Sequence, residues 1–112
     1  MMVNFEKRNT IDIVTFTIDK INALVADELR GKINHLFDNP HAKVILDLKG
    51  VMYIDSSGFG CFLSLFRSAR DNYGTIKFAE PEPAIIKMFE TLNLNHVFEI
   101  FPDIESCIRS MK

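Results

Sequence analysis

Apolar and polar positions change period several times along the chain, and each change marks an element. Residues 3–8 and 11–18 read as strands, the second (Ile11-Asp12-Ile13-Val14-Thr15-Phe16-Thr17-Ile18) rich in β-branched side chains. Arg8-Asn9-Thr10 between them fits a tight turn, which predicts a hairpin. In residues 23–38, Val25, Leu29, Ile33 and then Leu36 or Phe37 recur at helical spacing, with Glu28, Arg30, Lys32 and Asn34 mostly outward. Asn22 suits the N-cap, and Asp38-Asn39-Pro40 stops the helix. Residues 43–48 form a strand whose consecutive Val44, Ile45 and Leu46 predict burial on both faces. A short apolar step over 51–54 leads into Asp55-Ser56-Ser57-Gly58-Phe59-Gly60. A helix then runs from about Gly58 to Asn72, with Phe59, Phe62, Leu63, Phe66 and Ala69 on its apolar face and Gly74 past its end. Residues 75–79 make another strand. The Glu80-Pro81-Glu82-Pro83 loop starts a helix that turns Ile85, Ile86, Phe89 and Leu92 inward. Residues 97–101 form a last short strand, and Asp103 caps a closing helix carrying Ile104, Cys107, Ile108 and Met111 at helical spacing.

The order β-β-α-β-α-β-α-β-α predicts an α/β fold, a single domain over residues 1–112 with one mixed sheet of about five strands covered by about four helices. Connections are short, and neither a repeat nor a low-complexity stretch interrupts the chain.

Composition narrows the class. The chain has 112 residues, 47% of them hydrophobic, enough for one core and against disorder. Ten Phe and no Trp predict an aromatic-rich interior. A formal net charge of -2 with no basic block argues against binding nucleic acid. No apolar run approaches the roughly 18–20 residues that cross a bilayer, so membrane insertion is not expected. The N-terminus lacks the apolar core of a signal peptide, which predicts a cytoplasmic protein. Cys61 and Cys107 fall on apolar helix faces and read as buried free thiols.

The candidate chemistry concentrates at residues 55–60. A hydroxyl displayed at the start of a helix, beside the fixed charge of Asp55, is a poor nucleophile and a good phosphorylation switch. An added phosphate carries about -1.5 to -2 charge, which would repel an acidic partner, while the helix dipole would soften its cost to the fold. The bland alternative is that Ser56 and Ser57 only cap backbone N–H groups. Gly58 and Gly60 weigh against it, because glycine in a first helical turn suggests that something approaches the backbone closely. Phe59 reads equally well as core or as partner surface. A hydrolase is disfavoured, since Gly-x-Ser-x-Gly is absent and neither His35, His41 nor His96 has a reason to reach Ser57. Gly58-Phe59-Gly60 lacks the rest of a phosphate-binding loop, and His35, Asp38 and His41 match no strong metal spacing. No cofactor or metal is expected.

Asp55-Ser56-Ser57-Gly58-Phe59-Gly60, preceded by a strand and a short apolar step, resembles the STAS domain family, in particular the bacterial anti-sigma factor antagonists, with Phe59 where that family typically has Leu. Leu29-Arg30 fits the family's first helix, residues 83–94 its penultimate helix and residues 104–111 its last. The resemblance implies a non-enzymatic, STAS-like binding module that holds an anti-sigma factor, itself a serine kinase, and is released once phosphorylated. A PP2C-type phosphatase would reset it. By the same resemblance Ser57 is the phosphoacceptor, with Ser56 the second choice, and Asn22, Asp55, Ser56, Gly58 and Phe59 line the contact. Many members carry Gly-x-Leu-Asp before the first helix, where this chain has Asp19-Lys20-Ile21-Asn22. Asn22 therefore stands in place of a carboxylate that by family analogy lies near the phosphoacceptor. The alternatives are a STAS subunit of another assembly, such as a stress-signalling or lipid-transport complex, and an enzyme or nucleotide-binding protein built on the Ser56-Ser57 turn.

Overall fold

A computed structural model of the chain describes residues 2–112. Strand β1 (Val3–Arg8) pairs antiparallel with β2 (Ile11–Phe16), and Asn9 closes their turn at a positive φ of 56°, a conformation asparagine tolerates better than most residues. Parallel to β2 lie β4 (Lys43–Asp47), β6 (Thr75–Ala79) and β7 (Ile100–Phe101), giving a five-stranded mixed sheet in the order β1-β2-β4-β6-β7. Central β4 is flanked by parallel strands on both sides, and Val44, Ile45 and Leu46 are fully buried, as their unbroken apolar run implies.

Alternation along the strands divides the interior into two layers. Val14, Val44, Leu46, Ile76 and Phe78 face one way and pack against α1 (Ala23–Asn34), α2 (Ser56–Asp71) and α3 (Pro83–Thr91). Ile11, Ile13, Ile45 and Ala79 face the other way and meet α4 (Ile104–Ser110) through Cys107 and Met111. Much of the larger layer is aromatic. Phe78 lies 5.0 Å from Phe62, 5.6 Å from Phe89 and 4.8 Å from Phe98, centroid to centroid. Such contacts add to area burial by about 0.5–1.5 kcal/mol each.

Lys77, on the α4 side of β6, is buried. Its ammonium donates to Ser110 Oγ at 3.0 Å and to the Ser110 carbonyl at 3.3 Å, pairs with Glu99 at 3.3 Å and lies over the Phe101 ring. A buried cation with these partners ties the end of α4 to the sheet.

The α/β fold is as expected, but four boundaries move. The first helix ends at Asn34 and tightens into a 3-10 turn at His35–Asp38. The last strand shortens to two residues, because a 3-10 turn at Leu94–His96 swings Phe98 into the core and leaves Val97 exposed before pairing with β6 begins. The second strand stops at Phe16, and a separate parallel pair, β3 (Lys20–Ile21) with β5 (Tyr53–Ile54), forms beside the helix starts. Finally, α2 starts at Ser56 rather than near Gly58.

Candidate functional site

The start of α2 is held by Asp55 and by the small β3–β5 sheet. Asp55 has extended backbone, and its Oδ1 accepts the Gly58 N–H at 3.1 Å. Its carbonyl accepts from the Phe59 N–H at 3.1 Å, and its own N–H donates to the Ile21 carbonyl at 3.1 Å. The N-cap is therefore this carboxylate, and the alternative in which the serine hydroxyls cap the helix does not hold. Ser56 and Ser57 occupy the first two helical positions, and neither hydroxyl is engaged in a hydrogen bond among the described residues. Capping by Asp55 leaves both free for other chemistry.

Gly58 is needed from inside. A β-carbon there would lie 2.6 Å from Ile54 Cγ2, 2.7 Å from the Ile21 carbonyl oxygen and 2.9 Å from Ile21 Cγ2. What approaches this backbone is the chain's own β3–β5 pair, and Gly58 is buried. Gly60 is exposed, with open space where its side chain would be.

The two serines look into different grooves. Ser56 is exposed and borders an apolar groove of about 460 Å³ between α2 and α3, whose lining includes Phe59, Met88, Leu92 and Lys87. Ser57 is half-buried and borders a more polar groove of about 370 Å³ between α1 and α2, with Asp27, Arg30, Cys61 and Ser64. The residues alternate three or four apart on each helix, so the walls are one face of α1 and one face of α2.

Of the two readings of Phe59, the core reading describes its side chain, which is 4% exposed and packs edge-on against Phe89 at 5.4 Å and Phe62 at 6.2 Å. One edge of the ring still helps to line the apolar groove. Asn22 caps α1, with Oδ1 accepting from Leu24 N–H at 3.0 Å, and does not line the Ser57 groove. The structure thus brings Asp55, Ser56 and Phe59 together on one side of the helix start and places Ser57 on the other, with Gly58 beneath. Asp27 was missed by sequence reasoning, and Arg30 was read only as an outward residue. Helical spacing put both on one face of α1, but only the adjacency of α1 and α2 sets that face opposite Ser57.

The Cys61 thiol in the groove wall is pushed up to about 11 by burial, partly offset by the Arg30 charge, and it stays protonated near neutral pH. Elsewhere, His35 packs against Phe5 and His41 stacks on Tyr73, and no group of three or more His, Cys, Asp or Glu among the described residues is arranged to hold a metal ion. Among the described residues, no helix is long and apolar enough to cross a membrane.

Comparison with known proteins agrees with this architecture. Residues 3–107 match the STAS domain, and the chain belongs to that family. It is 29% identical over 101 residues to the anti-sigma-B factor antagonist of Bacillus subtilis, covering 89% of this chain and 92% of that protein. An anti-sigma-factor antagonist (STAS) domain protein from Planctomyces limnophilus superposes with a TM-score of 0.88 at 11% identity, covering 97% of each chain. The anti-sigma factor antagonist SpoIIAA superposes in its unphosphorylated form with a TM-score of 0.76 at 20% identity, covering 95% of this chain and 92% of that one. The phosphorylated form of SpoIIAA from Bacillus gives 0.71 at 18% identity, covering 98% and 99%.

Proposed function

We propose that this chain is an anti-sigma factor antagonist, acting in the cytoplasm, that binds a serine-kinase anti-sigma factor through the start of α2 and is released when Ser57 is phosphorylated. The observation that carries the reading is the division of labour at the helix start. Asp55 does the capping, so the Ser57 hydroxyl is unengaged in an open groove. The names of the relatives point the same way.

The reaction belongs to the partner. The Ser57 oxygen forms a bond to the γ-phosphorus of ATP, the bond from that phosphorus to the β,γ-bridging oxygen breaks, ADP leaves and the hydroxyl proton passes to a base of the kinase. A group of about -1.5 to -2 charge then stands where the kinase had docked. The fold tolerates it, because an anion near a helix N-terminus is favoured by about 0.3–1 kcal/mol. Asp55, Ser56, Gly58 and Phe59 contribute to the docking surface unequally. Asp55 and Ser56 are accessible, whereas Gly58 and Phe59 act by shaping the helix start and the groove wall. A PP2C-type phosphatase would hydrolyse the ester and restore binding.

The test is affinity capture from the native cell with wild type, Ser57→Asp and Ser57→Ala as bait. Wild type is expected to retain a serine kinase that Ser57→Asp loses, while the melting temperatures agree to within about two degrees. Incubation with that kinase and ATP should place the phosphate on Ser57, and on neither serine in Ser57→Ala. Equal capture by wild type and Ser57→Asp would end the proposal. Phosphate found on Ser56 would move the switch to the apolar side of the helix.

A further inference from the structure

Arg30 borders the same groove as Ser57, is exposed, and forms no ion pair among the described residues. Its charge is felt at the Cys61 thiol, one helical turn beyond Ser57. Cα–Cβ bonds on an α-helix tilt toward its N-terminus, the end of α2 at which Ser57 stands. A phosphate ester extends the Ser57 side chain into this groove by one phosphorus and its oxygens. Arg30 lines the groove that the ester enters, and a guanidinium offers phosphate a charge-assisted, bidentate partner.

We propose that Arg30 is a positioning residue for the modified state, one that clasps a phosphate on Ser57 and holds it inside the α1–α2 groove. The proposal rests on the reading of Ser57 as the phosphoacceptor and adds to it what receives the phosphate. The clasp has a consequence for the switch. Phosphorylation would add negative charge to the docking face and also withdraw Arg30 from that face.

The charged and titratable groups that line the groove with Ser57 are Arg30 and Asp27 from α1 and Cys61 from α2, while Asp55 borders the other groove. Asp27 opposes the clasp, so Arg30 must outweigh a carboxylate in the same groove. Ser56 supplies an internal control, because it faces the other groove, where the cation is Lys87.

The experiment is phosphorus NMR on protein carrying phosphoserine installed during synthesis at position 57, and separately at position 56, titrated through the second phosphate ionisation near pH 6. With phosphoserine at 57, Arg30→Gln should raise that midpoint by about half a pH unit, since a nearby cation favours the dianion. Asp27→Asn should lower it. With phosphoserine at 56, Arg30→Gln should leave it unmoved. In thermal melts Arg30→Gln should destabilise the phosphorylated chain more than the unmodified one, a difference that a role limited to the unmodified fold would not produce. Superimposable titrations for wild type and Arg30→Gln at position 57 would overturn the proposal, as would equal shifts at both positions. Because the phosphate is installed rather than enzymatic, failure here is distinct from failure of the switch, which mass spectrometry of Ser57 in protein taken from its own cells decides.

Discussion

Gly58→Ala would normally favour a helix. Alanine is the better helix former by about 1 kcal/mol in a helix interior. Here the added methyl has nowhere to go. Its carbon would meet Ile54 Cγ2 at 2.6 Å, Ile21 Cγ2 at 2.9 Å and the Ile21 carbonyl oxygen at 2.7 Å. The two isoleucine methyls belong to side chains that are 2% and 0% exposed and have little room to turn. Nor can the carbonyl retreat freely, because it accepts the Asp55 N–H at 3.1 Å, and Asp55 is the cap of α2. Relief therefore means shifting the helix start away from β3 and weakening that hydrogen bond. Overpacking costs about 1–3 kcal/mol and a strained buried hydrogen bond about 1 kcal/mol more. Against a gain of at most about 1 kcal/mol, the net loss is about 2 kcal/mol, or a fall of about 8 °C in melting temperature for a domain of this size. Gly60→Ala is the matched control two residues on, with open space around its β-carbon, and should stabilise the chain by about 0.5–1 kcal/mol. Urea and thermal unfolding of the two variants against wild type measure both. If Gly58→Ala melts at or above wild type, the close packing of α2 on β3 is not what fixes the helix start, and the reasoning fails.

Asp55→Ala should cost about 1 kcal/mol through loss of the cap, and Asp55→Asn much less, because its side-chain oxygen can still accept the Gly58 N–H; denaturant unfolding of both separates cap from charge. Cys61 and Cys107, whose thiols burial pushes up to about 11 and about 12, should resist iodoacetamide at pH 8 in the folded chain and react once urea exposes them, as mass spectrometry would show. Asp47 has its carboxyl raised above the ordinary range chiefly by burial, and the ionised form consequently disfavours the fold. Asp47→Asn should stabilise the chain at pH 7. That gain should shrink as pH falls through the raised value toward the unfolded value near 4, which unfolding at pH 7 and below pH 4 would compare.

Local signals carried much of this fold. An unbroken Val44-Ile45-Leu46 run marked a strand buried on both faces, and helical spacing found all four helices. The departures came where a distant contact overruled a local rule. A two-residue strand has no periodicity of its own, so the pairing of Lys20–Ile21 with Tyr53–Ile54 was invisible until the chain folded. The same pair explains why the helix start was placed late. Gly58 looked like an access point for an outside surface, yet it is the position where β3 and β5 press against α2. At the site, the Asp-Ser-Ser-Gly turn was legible, but the face opposite Ser57 was not. Asp27 and Arg30 reach that groove only because two crossover helices lie side by side on one face of the mixed sheet.

This arrangement separates what positions Ser57 from what Ser57 does. The orientation of the first turn of α2 is set by the Asp55 carboxylate, by the Asp55 N–H on the Ile21 carbonyl, and by Gly58 against Ile21 and Ile54. None of these involves a serine hydroxyl. Had Ser57 been the cap, esterifying it would have removed an acceptor worth about 1 kcal/mol, and every phosphorylation would have loosened the helix that presents it. With the cap assigned to Asp55, the phosphate proposed for Ser57 would add a charge that the helix end favours and would subtract no contact that holds the fold. Under the proposed switch, the surface would gain negative charge while the scaffold kept its geometry. For the same reason, perturbations of Asp55 or Gly58 should register as stability and those of Ser57 as binding.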